Sequence, residues 1–147
     1  MEHTEKLGKY EILGELGRGA MGVVYKGHDP DLDRTVAIKT LRKDSLDKSE
    51  SGELLERFKR EAQAGGRLQH PGIVSIHAYG EDENTAFIAM EVIQGKELKE
   101  FFDDNQRFTV KDTVRLMAEL LDALEYAHAH GVVHRDIKPS NIILMDD

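Results

Sequence analysis

Residues 134–141 read His134-Arg135-Asp136-Ile137-Lys138-Pro139-Ser140-Asn141. This run holds a carboxylate, a lysine two positions on and an amide oxygen five positions on. A carboxylate beside a hydroxyl can orient it and accept its proton. A lysine next to it can neutralise a phosphoryl group in transfer. An asparagine oxygen is a hard ligand suited to magnesium. The alternative is a chance polar loop, and the full string argues against it. Val132-Val133 precede the run and Ile142-Ile143-Leu144 follow it, so it reads as a loop flanked by strands.

Working upstream, Gly131 stands where a helix-ending glycine is expected. Val110, Val114, Met117, Leu121, Leu124 and His128 alternate four and three apart, the mark of a long amphipathic helix. Thr109 to Asp112 fits a capping box at its start. Leu98 to Phe102 suggests a short helix. Before these lie strand-like runs at Tyr10–Leu13, Val23–Lys26, Thr35–Leu41, Ile73–Ile76 and Ala86–Met90. Asp29 to Asp33 and Gly80 to Asn84 supply turns. One helix interrupts the strands, from about Glu53 to Leu68, with Leu54, Phe58, Ala62, Gly65 and Leu68 on one stripe. Strands come first and helices follow, which predicts an α+β protein with a small β-rich part and a helical second part.

Three further features could carry chemistry. Gly17-Arg18-Gly19-Ala20-Met21-Gly22 is a GxGxxG match, weak when taken alone. The β-prone Val23-Val24-Tyr25 follows it, so the choice is between a plain glycine-rich hairpin and a flap whose amides approach phosphate oxygens. Lys39 lies in the apolar strand Val36-Ala37-Ile38-Lys39 and shares a face with Ala37 and Leu41. It either snorkels to solvent or meets an anion. Glu61 falls inside the apolar stripe of the following helix. It either reaches water at the stripe's edge or pairs with Lys39.

Composition sets the bounds. A chain of 147 residues is about one domain and can bury a sizeable core. The net charge of −8 argues against nonspecific binding to nucleic acid or an anionic membrane. There is no cysteine, which excludes disulfides, thiol catalysis and cysteine-based metal sites. No apolar stretch approaches the ~20 residues of a membrane helix, and residues 1–6 are not a secretory signal. These features predict a cytoplasmic protein.

Taken together and in this order, the glycine-rich run, Val24, Val36 to Lys39, Glu61 and His134 to Asn141 resemble the protein kinase superfamily. Lys138 after Asp136 is similar to the serine/threonine branch, and Arg60-Glu61-Ala62 with His70 to Val74 to its bacterial members. The resemblance implies a lead-in at 1–9, a five-stranded antiparallel N-lobe with its hinge at 10–93, and the start of an incomplete C-lobe at 94–147. It implies ATP and Mg2+ as cofactors and a protein Ser or Thr as acceptor. Gly17, Gly19 and Gly22 would cover the phosphates, with Val24 and Ala37 on either side of the adenine. Lys39 would contact the α- and β-phosphates and pair with Glu61. Met90 would stand beside the adenine pocket, with Glu91 and Ile93 offering backbone groups to the adenine edge. Asp136 would be the catalytic base, Lys138 the γ-phosphate contact and Asn141 a magnesium ligand.

Neither Asp-Phe-Gly nor Ala-Pro-Glu occurs in the chain. The resemblance therefore implies impaired phosphoryl transfer by these residues alone, and an apolar stripe on helix 109–130 lacking some of its usual cover. The readings in play are part of a serine/threonine kinase, a noncatalytic nucleotide-binding or regulatory module, and a small-molecule phosphotransferase. Arg135 and Lys138 favour a protein kinase over the last.

Overall fold

The computed structural model describes residues 5–18, 22–43, 51–82, 84–133 and 137–145. The chain forms two compact units, residues 1–67 with 75–92 and residues 68–74 with 93–147. Among the described residues, the first is an antiparallel sheet with one helix. Its strands are β1 (Lys6–Leu7), β2 (Tyr10–Arg18), β3 (Val23–Asp29), β4 (Arg34–Arg42), β5 (Ile76–Glu81) and β6 (Thr85–Glu91). Helix α1 (Ser51–Gly66) lies between β4 and β5 in the chain. The strand order across the sheet is β1-β2-β3-β4-β6-β5.

β4 is central, and its side chains are covered on both faces. Val36 and Ile38 pack with Tyr10, Phe87 and Ala89 on one side. Leu41 packs with Phe58, Ala62, Ala86 and Ile88 on the other, where α1 lies. A strand buried on both faces reads as a near-continuous apolar run, as Val36-Ala37-Ile38 does. The α1 stripe does its expected work: Phe58 and Ala62 are buried, and a Cβ on Gly65 would overlap the Ile76 side chain.

The β3–β4 turn is built on Asp29. Its Oδ1 accepts the backbone N–H groups of Asp31 (2.9 Å) and Leu32 (3.3 Å). Burial pushes this carboxyl up, but those two amides, with Lys9 and Arg34, outweigh it and hold it below the ordinary aspartate range.

Several sequence expectations need correction. The sheet has six strands, not five, because Leu7 pairs with Tyr10 inside the expected lead-in. β2 runs on through Gly14 and Gly17 to Arg18, with register shifts at Ile12/Gly14 and Glu15/Gly17. The strand expected at Ile73 begins at Ile76 instead. The Ile73 N–H closes a turn onto the His70 carbonyl at 3.0 Å, so the apolar run starts folded, not extended. At its far end β5 takes in Gly80 and Glu81, which were expected in the turn. α1 ends at Gly66, two residues short of Leu68.

The second unit contains β7 (Gly95–Glu97), α2 (Leu98–Asp103), α3 (Val110–Ala129), a 3-10 turn at Pro139–Asn141 and β8 (Ile143–Met145). Thr109 caps α3, its hydroxyl accepting the Asp112 N–H at 3.1 Å. Gly131, at φ +78°, ends the helix. Its N–H bonds the His128 carbonyl and that of Val132 the Ala127 carbonyl, a Schellman closure. Among the residues of α3 only Ala123 and Ala127 are buried, and Val110, Val114, Met117 and Leu121 are exposed. No helix among the described residues is long and apolar enough to cross a membrane.

Candidate active site

Sheet register gathers most of the expected nucleotide-binding residues. Gly17 pairs with Val24, and Val24 pairs with Lys39. Ala37 pairs with Met90. Directly opposed residues of an antiparallel pair point to the same face, and alternate residues of one strand do too. Val24, Ala37, Lys39 and Met90 therefore share the face that carries α1. Ala37 is buried on that face, and Met90 packs against the cluster around Phe58 and Leu41.

On this face Lys39 Nζ donates to Glu61 Oε1 at 2.9 Å. The two side chains are 35% and 53% exposed. The lysine is thus neither buried nor free, and the glutamate stands at the edge of its stripe while still reaching the cation. An ion pair this open contributes only ~0.2–1 kcal/mol to stability. Its structural effect is to fix where the ammonium group points.

The glycines of the run differ from one another. Gly17 has open space around it, whereas a Cβ on Gly22 would overlap the carbonyl oxygen of Thr40. Gly22 is therefore required by packing against β4, a constraint the sequence reading did not see. Gly19 lies outside the described residues.

Glu91 ends β6, and its backbone and side chain serve one residue. Its N–H donates to the Ser75 carbonyl at 2.9 Å, and its Oε1 accepts the Ser75 N–H at 2.8 Å. Ser75 is not legible as a partner in the sequence, because a backbone donor carries no residue-type signal. Nearby, burial and then Arg34 hold His77 below the usual histidine range, against the pull of Glu91 and Asp29. Ile93 belongs to the second compact unit and is half-buried.

In that unit the segment around Lys138 and Asn141 is held at its C-terminal end. Gly95, Lys96 and Glu97 pair with Met145, Leu144 and Ile143. The Leu98 N–H donates to the Ile142 carbonyl at 2.8 Å. Just before these ties, Pro139 opens a 3-10 turn, and the Asn141 N–H closes on the Lys138 carbonyl at 2.9 Å. The loop is strand-flanked on its C-terminal side as expected, but Val132 and Val133 are not strand. His134, Arg135 and Asp136 lie outside the described residues.

The Lys39–Glu61 pair thus belongs to the first unit and the Lys138–Asn141 turn to the second. The protein kinase domain family matches residues 10–147, and the chain belongs to that family. PrkC, a serine/threonine-protein kinase of Bacillus subtilis, is 42% identical over 137 residues, 93% of this chain and 21% of the relative. A probable serine/threonine-protein kinase of Streptomyces coelicolor, SCO3848, is 43% identical over 149 residues, 98% of this chain and 22% of the relative. The crystal structure of the Mycobacterium tuberculosis PknI kinase domain superposes with a TM-score of 0.83 at 29% identity, covering 99% of this chain and 57% of that one. The chain thus spans about a fifth of these curated relatives and somewhat over half of the solved kinase domain.

Proposed function

We propose that the protein binds ATP with Mg2+ and serves transfer of the γ-phosphate to a serine or threonine hydroxyl of a protein substrate. The observation that carries this reading is the 2.9 Å Lys39–Glu61 pair on the face shared by Val24, Ala37 and Met90. Ala37 is small enough to leave room for a flat base, and Val24 would close on it from β3. Backbone groups of Glu91 and Ile93 would meet the adenine edge. Lys39, its direction set by Glu61, would bind the α- and β-phosphates, and the amides of Gly17, Gly19 and Gly22 would line them.

The second unit would supply the groups nearer the transferring phosphoryl. Asp136 would orient the acceptor hydroxyl and take its proton. Lys138 would balance charge on the γ-phosphate. The side-chain oxygen of Asn141 is a suitable magnesium donor, and the bound ion would supply further neutralisation of the phosphates. The bond formed joins the acceptor oxygen to the γ-phosphorus, the bond broken joins that phosphorus to the β–γ bridging oxygen, and ADP leaves. We further propose a cytoplasmic setting, on the cysteine-free and acidic sequence.

Two measurements test this. ATP·Mg binding by calorimetry is expected for the protein, and Lys39→Met is expected to weaken it by about tenfold or more. Transfer of labelled phosphate to a serine- and threonine-bearing protein, measured on the native gene product, is expected to fall about 10²–10⁴-fold in Asp136→Asn. Equal transfer by Asp136→Asn and its parent would remove the base assignment.

A further inference from the structure

We infer that Thr40 is a positioning residue for nucleotide binding, acting through Gly22 and Val23; the inference rests on the ATP reading above. Thr40 follows Lys39 in β4 and is 4% exposed. A hydroxyl buried in a strand requires partners. Its Oγ1 donates to the Val23 carbonyl at 2.6 Å and accepts the Val23 N–H at 3.1 Å. The pairing of β3 with β4 ends at Val24↔Lys39. The next pair would be Val23 with Thr40, and there the side-chain hydroxyl takes both main-chain groups of Val23. One residue earlier, Gly22 lies so close to the Thr40 carbonyl that no Cβ fits.

Two groups of one residue, its hydroxyl and its carbonyl, thus fasten the start of β3 beside Lys39. Removing the hydroxyl strips the Val23 N–H and carbonyl of their Thr40 partner and leaves the start of β3 paired there with Arg18 of β2 alone. The fraction of molecules holding Gly22 next to the lysine strand then falls, and apparent nucleotide affinity falls with it.

The decisive variants are Thr40→Val, which keeps the shape and removes the hydroxyl, and Thr40→Ser, which keeps the hydroxyl. In Thr40→Val the ATP·Mg dissociation constant is expected to rise about 5- to 30-fold, the worth of one to two kcal/mol of lost hydrogen bonding. Hydrogen exchange at the Val23 amide is expected to accelerate alongside. Thr40→Ser is expected to stay within about twofold of the parent on both readouts.

Unchanged Val23 exchange in Thr40→Val would overturn the clip. Faster exchange with unchanged ATP affinity would reduce Thr40 to a stabilising role and overturn the positioning claim. A Thr40→Ser variant as weak as Thr40→Val would assign the effect to the lost methyl and overturn it too. If the parent itself fails to bind ATP·Mg, the nucleotide reading falls and the positioning role falls with it. Exchange at Val23 would still decide the clip, so the two failures are distinguishable.

Discussion

Strand β4 and helix α3 each carry apolar side chains, and these meet different fates. In β4 the residues Val36, Ala37, Ile38, Thr40 and Leu41 are all buried. In α3 the two buried residues are alanines, and four large apolar side chains stand in solvent. The strand has sheet neighbours on both edges and packed side chains on both faces. The helix turns its small residues toward the segment 68–74, where Gly72 lies against Ala123 and the Gln69 N–H donates to the Tyr126 hydroxyl at 3.0 Å. Periodicity therefore marks an apolar face in each element, but the neighbours decide whether that face is covered.

The largest effect expected from this contrast is in the core. Ile38→Ala is expected to cost about 2–5 kcal/mol in denaturant unfolding, because it leaves a cavity between close-packed neighbours. Val114→Ala on the open face of α3 is expected to stay within about 0.5 kcal/mol. Equal losses would break the comparison.

The glycines sharpen it at shorter range. Gly22→Ala must displace β4 backbone and is expected to destabilise by about 1–3 kcal/mol. Gly17→Ala meets nothing, and is expected to be neutral or to stabilise by about 0.4–1 kcal/mol through a less flexible unfolded chain. A reversed order in thermal unfolding would refute the packing account of Gly22.

The charged turn responds to pH instead. The Asp29 carboxyl is depressed in the fold, so the unfolded chain binds its proton first as pH falls. The stability it supplies is complete above the ordinary value of 3.8 and is lost as pH drops through that value toward the lower folded one. Asp29→Asn is expected to flatten the acid limb of a stability-against-pH curve while lowering stability at neutral pH. An unaltered acid limb would show that the amide and cation contacts do not act on this group.

A small effect on stability is also expected at the site itself. Glu61→Gln is expected to change unfolding free energy by less than about 1 kcal/mol, since the pair it breaks is half in water. Its effect is expected in nucleotide affinity, and a large stability loss with unchanged affinity would reverse that assignment.

Much of the site was legible because its residue types are unusual where they stand. A lysine in Val36-Ala37-Ile38-Lys39 and a glutamate in an apolar stripe each ask for a partner, and at helical and strand spacing they point to one another. Thr40 carries the same kind of signal, a polar group inside a buried strand, but its partner is backbone and leaves no mark in the residue types. The short strands β1 and β7 were not legible. Two or three residues have no period to detect, and their pairing is set by what lies alongside. The late start of β5 was hidden for a related reason. Ile73 to Ile76 is β-prone throughout, but Ile73 bonds within a turn and Ser75 pairs with Glu91.

The sequence by itself determined the order of the longer elements, the caps at Thr109 and Gly131, and the chemistry available at residues 17–22, 39, 61 and 134–141. These follow from local stereochemistry and from residue identity, which need no distant neighbour. Only the tertiary structure decided that Gly22 must be glycine, that the Thr40 hydroxyl bonds Val23 at the start of β3, that the Lys39–Glu61 pair is open to water, and that Val110, Val114, Met117 and Leu121 of α3 are exposed while Ala123 and Ala127 are covered. Each of these depends on a surface brought up by a remote part of the chain, and a one-dimensional pattern does not contain that distance.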